Sequence, residues 1–144
     1  MSRRLHPVWT TGFLATVLLG GLASAQEAEK KAPAPATLSA PVAAEIKILC
    51  DGKAGNNGEI NLIFQQAGGE ATTVRVTVLK GTGKQGLCKD IAKELAIAVG
   101  STYKVDHYDD DKVKVEGKNK QKFSLALGTN TVSGSSISLK VAAE

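Results

Sequence analysis

The chain has little of most residue types that carry chemistry. Two cysteines and two histidines occur in 144 residues, and His6 falls in the N-terminal stretch that reads as a signal. His107 alone then joins the cysteines, too few ligands for an ordinary closed zinc centre. Aromatic residues make up only 4%, so aliphatic side chains must fill any core, and stacking platforms for single-stranded nucleic acid are missing. Charge of one sign is not in excess either: 18 Lys and Arg stand against 14 Asp and Glu, a formal net charge of +4. Without a basic cluster, no nucleic-acid footprint is expected. There is no G-x-S-x-G elbow, no H-E-x-x-H pair and no cysteine in a catalytic signature, and no cofactor or catalytic residue is assigned. An enzyme of unknown class therefore ranks only third among the functional readings.

Long apolar runs are also scarce. The longest, Val8 to Leu22, falls short of the roughly 20 residues of a membrane span and is interrupted by glycines. Arg3 and Arg4 precede it, and Ala23-Ser24-Ala25 follow it. That order of positive, apolar and small-x-small segments reads as a secretory signal, residues 1–25, cleaved before Gln26. Contact with a membrane is then transient, through the signal alone. The mature protein is placed in the periplasm or outside the cell. Loss of Arg3 and Arg4 lowers the net charge by two. Residues 26–43, rich in Ala, Pro, Lys and Glu, carry almost nothing apolar larger than Ala before Pro41. Such a stretch cannot offset its ordering entropy and is expected to be a disordered linker. The remaining 44–144 are expected to form one small domain.

Within that domain, alternation with period two dominates. Ile46, Ile48 and Cys50 share one strand face, as do Ile60, Leu62 and Phe64 on a second strand and Val74, Val76 and Val78 on a third. Asp51-Gly52, Asn57-Gly58 and Gly68-Gly69 supply turns. From Leu87 to Val99 the spacing changes to one apolar stripe of a helix, Leu87, Ile91, Leu95 and Val99, stopped by Gly100. Strands at 102–108, 112–117, 121–127 and 135–141 follow. Their inward sets are Tyr103/Val105, Val113/Val115, Phe123/Leu125/Leu127 and Ile137/Leu139/Val141. The order βββαββββ predicts an α+β fold: a mainly antiparallel sheet of about six to seven strands, with one amphipathic helix on one face.

Outside the reducing cytosol, Cys50 on the first strand and Cys88 beside the helix stripe are expected to form a disulfide. Three stretches offer weaker chemistry. Gly81, Gly83 and Gly86 have the G-x-G-x-x-G spacing of a dinucleotide turn, with Lys84 beside them and Asp106 where a ribose-binding acid belongs. The alternation of Thr73, Arg75 and Thr77 with valines opposes that assignment, because a doubly covered parallel strand reads as a continuous apolar run. A strand-to-helix turn is the simpler expectation, with residual anion binding as the alternative. Asp106, His107, Asp109, Asp110 and Asp111 offer ligands for a calcium-like ion, but lack the spacing of an EF-hand loop. A solvated hairpin tip, balanced by Lys112, Lys114, Lys118, Lys120 and Lys122, is expected. Asp51, Asn56, Asn57 and Glu59 are read in the same way.

These features predict an exported, non-catalytic interaction or structural module. Its expected partner is a protein of the cell envelope, with exposed strand edges open to β-augmentation. The second reading is a small-ligand, anion or calcium-binding envelope protein using 81–86 or 106–111.

Overall fold

The computed structural model describes residues 39–142. The expected signal (1–25) and the linker up to residue 38 lie outside the described residues, as do 143 and 144. Eight strands and one helix make up the rest. In chain order they are β1 (Val42–Ala43), β2 (Glu45–Gly52), β3 (Gly58–Gln66), β4 (Ala71–Val78), α1 (Lys84–Val99), β5 (Tyr103–Asp109), β6 (Lys112–Gly117), β7 (Phe123–Asn130) and β8 (Ser135–Val141). Short 3-10 turns at Gly100–Thr102 and Lys118–Lys120 join α1 to β5 and β6 to β7.

The α+β class holds, but the single sheet does not. The strands divide into two antiparallel sheets, ordered β1-β7-β3-β4 and β5-β6-β2-β8. The pairs β3–β4 and β5–β6 are local, whereas β2–β6, β2–β8 and β3–β7 join distant segments. Alternation shows that one face of each strand is buried, but not which strand lies beside which, so one sheet and two look alike in sequence. β1 was also unforeseen. Val42 and Ala43, inside the stretch read as linker, pair with Ser124 and Phe123 at the edge of the first sheet.

The helix does not lie flat on one sheet. It packs against β4 and β5, an edge strand from each sheet, and reaches β2 and β6. Leu87, Ile91 and Leu95 are fully buried along one stripe, with Cys88 and Val99 beside them. Spacing of four residues keeps such side chains on one helix face. Gly83 precedes the helix without a side-chain cap, and Gly100 ends it at φ 64°, a conformation that glycine adopts with little strain.

Side chains from both sheets and α1 form one core. Phe64 of β3 and Phe123 of β7 meet Tyr103 of β5 across the two sheets edge to face, with ring centroids 4.9 and 5.3 Å apart. Edge-to-face contacts of this kind add about 0.5–1.5 kcal/mol each to the burial itself. Burial pushes the Tyr103 phenol above its ordinary pKa.

Two residues expected inward are exposed: Leu127 is 38% accessible and Val141 41%. The β3–β7 register shifts between Ile60 and Leu62, where Asn61 faces both Gly128 and Thr129. That bulge lies beyond Leu127, which stays in register opposite buried Leu62. β1 is too short to cover Leu127, and Val141 ends an edge strand.

Candidate functional site

The residues singled out in the sequence converge on one end of the molecule. Cys50 and Cys88 form the expected disulfide, joining β2 to the first turns of α1 with both residues buried. Around it, four connections are hydrogen-bonded together. Gly81 donates to the Ala54 carbonyl and Ala54 to that of Thr82, at 2.7 and 2.9 Å. Lys53 and Gly55 donate to Gly134 and Ser133, and Cys50 donates to Asp111. The Asn56 side chain bonds to Thr131 and Ser133, and Asn57 accepts from the Lys80 amide. Asp51 accepts from the neighbouring Gly52 amide, and Glu59 pairs with Arg75 at 3.6 Å. Asp51, Asn56, Asn57 and Glu59 thus all have partners within the chain.

The glycine spacing belongs to a turn. Only Gly81 of the three takes a positive φ, 92°; Gly83 is extended, and Gly86 opens the helix beside the Thr82 methyl. β4, α1 and β5 do not make a parallel crossover, since β4 and β5 belong to different sheets. Lys84 lies 3.9 Å from Asp111, and Gln85 donates to Asp110 at 2.8 Å. The helix start and the acidic hairpin tip are therefore partners of one another.

Within the acidic stretch, the residues divide by face. Asp106 points outward, opposite Lys114 and 3.7 Å from Lys104. His107 sits opposite buried Val113, and its Nε2 is enclosed without a hydrogen-bond partner. The Lys112 ammonium bonds to Asp109, which holds that carboxyl below its ordinary pKa; the Asp110 amide adds to the effect. The same bond holds Lys112 above its ordinary value. Glu116 does likewise for Lys114. Among the described residues, no group of three or more His, Cys, Asp or Glu is placed to hold a metal ion. No described helix is long and apolar enough to cross a membrane.

At the opposite end of the second sheet lies a shallow depression of about 530 Å³ between Glu45, Lys104, Glu116 and the turn 118–120. Asn119 and Lys120 both take positive φ there, 57° and 58°, closed by a bond from the Gln121 amide to Lys118. Its two acids already have partners, Glu45 with Lys47 and Glu116 with Lys114.

The feature the sequence reading did not single out is the edge of the second sheet. β8 pairs with β2 in unbroken register from Ile46/Val141 to Gly52/Ser135, and among the described residues no strand lies on its other side. Ala142 donates to the Glu45 carbonyl directly opposite. Bonded and non-bonded pairs alternate in an antiparallel ladder. The backbone groups of Ser136, Ser138 and Lys140 accordingly face β2, while those of Ile137, Leu139 and Val141 face the open edge. Ser135–Val141 contains no proline and one charge, Lys140, and that composition was the available signal. Compared with known protein families, curated proteins and solved structures, the chain matches none.

Proposed function

We propose that this chain is an exported, non-catalytic interaction module that engages a protein partner by strand addition along β8. The observation that carries this reading is the contrast among the four sheet edges. β1 has two residues, β4 lies under α1, and β5 combines helix cover, charged side chains and a register shift near its end. Those are the ordinary devices that prevent edge pairing. β8 carries one of them, the charge of Lys140, and is otherwise seven residues long, unbulged and free of proline. An edge of this kind supplies main-chain affinity, and alternate side chains supply selectivity. Export is supported by the buried Cys50–Cys88 bond, which suits an oxidising compartment. Binding of a small anion at 81–86 has less support, because Lys84 is already beside Asp111.

A photo-crosslinking residue at Ser138, with one at Lys89 on the exposed helix face as control, tests the reading in the organism's own envelope. The expected result is a protein adduct of defined mass from position 138 and none from 89. Adducts from 89 alone, or none from either, overturn it.

A further inference from the structure

The side chains along β8 define the strand it takes, an inference that rests on the strand-addition reading above. On the outer face of the second sheet, Lys114, Lys47 and Lys140 occupy one row, because Lys47 is paired with both of the others. Like charges directly opposite one another destabilise a sheet. Inland, the row is compensated: Lys114 has Glu116 at 3.3 Å and Asp106 across the strand, and Lys47 has Glu45 at 3.5 Å. At the open edge it is not. Lys140 has no carboxylate within ion-pair distance among the described residues, although it stands opposite Lys47.

The opposite face of the same edge is apolar. Ile137 and Leu139 are only partly buried against the core, and Val141 is 41% exposed. Leu127 on β7 of the other sheet is 38% exposed. The backbone N–H and C=O groups of 137, 139 and 141 face outward. A strand added antiparallel would bond at those positions and set its intervening residues opposite Ser136, Ser138 and Lys140. These are the non-bonded pairs, in which facing side chains stand closest.

We propose that the occupant of β8 is an extended segment of another protein in which apolar and acidic residues alternate. Its acidic side chain stands opposite Lys140 and completes the cationic row. Its apolar side chains extend the face formed by Ile137, Leu139 and Val141. A second copy of this chain fits less well. Symmetric pairing about Ser138 places Ser136 opposite Lys140, so each copy leaves its lysine uncompensated.

The test uses the disulfide-bonded chain and two labelled heptapeptides, one alternating valine with glutamate and one alternating valine with lysine. Anisotropy at low salt is expected to show the glutamate peptide binding about three- to tenfold more tightly. Its amide shift changes are expected to be confined to β8 and β2. Lys140→Glu, an exposed substitution, is expected to reverse the preference. Leu139→Pro removes an outward N–H that β2 does not use, and is expected to abolish binding of both peptides; its thermal transition reports whether it folds. Equal affinity for the two peptides, shifts mapped to another surface, or an unchanged preference in Lys140→Glu overturns the proposal. Saturable self-association through β8 without peptide discrimination overturns it in favour of a second copy. An adduct from position 138 combined with no acidic preference leaves strand addition standing and removes only the partner's chemistry.

Discussion

The two flanks of the molecule solve the same problem in different ways. Where β4 and β5 end their sheets, α1 lies over both, Leu87, Ile91 and Leu95 are fully buried, and a disulfide fixes the helix to β2. Where β1 and β8 end them, nothing comparable is present among the described residues. β1 covers two positions of β7, and Leu127, Val141 and Val42 keep 38 to 53% of their surface. The difference teaches that closing a sheet is a local decision. The one α-helix among the described residues and both cysteines serve one flank. The other flank ends in β8, which among the described residues is paired on one side only.

The largest expected effect breaks the closed flank. Replacing Cys50 and Cys88 together with alanine removes a cross-link between residues 38 apart, and chain entropy alone then costs about 4 kcal/mol. Urea unfolding of the double variant against the oxidised protein measures it. Next comes Ile91→Ala, which empties a fully buried site under the helix and is expected to cost about 3 kcal/mol. Val141→Ser on the open flank removes apolar surface that is already largely wet, and is expected to change stability by no more than about 0.5 kcal/mol. If Val141→Ser cost as much as Ile91→Ala in the same urea series, the contrast between the flanks would be wrong.

The smallest effect lies at the hairpin tip beside α1. Asp109 is held low by Lys112, so its folded value lies below its unfolded one. Its contribution is then present above the ordinary carboxylate range of about 4 and lost as pH falls through the lowered value. Lys112 is held high, so its contribution is present below its ordinary value and lost as pH rises through the raised one. Carboxyl-carbon NMR is expected to show Asp109 titrating below the usual range, and Lys112→Met returning it there. An unchanged Asp109 midpoint in that variant would show that the ion pair does not tie the tip together.

Much of this arrangement could be read in the sequence, for identifiable reasons. The helix stripe and the strands around Ile48, Leu62, Val76 and Val113 each repeat a periodicity that local sterics enforce, and their inward residues are buried. Cys50 and Cys88 paired as expected because each lay on an inward face. The division into two sheets was not legible, since it depends on non-local choices such as β2 pairing with β6 and β8. Leu127 misled because alternation shows which face a residue shares, here that of Leu62 opposite it, but not whether another element covers it. The meeting of Lys84 and Gln85 with Asp111 and Asp110 was hidden for the same reason: each stretch was visible alone, but their contact is tertiary.

The pairing of β2 also fixes when the fold can be completed. Ile46 lies opposite Val115 on one side and Val141 on the other, so the first long strand waits for two of the last three. Ladders between such distant segments form slowly, on the millisecond-to-second scale of sheet-rich domains. The 38-residue separation of the two cysteines is shorter than the gap from Ile46 to Val141, so its closure costs less chain entropy. The strand at the open edge of the second sheet is also the last of that sheet in chain order.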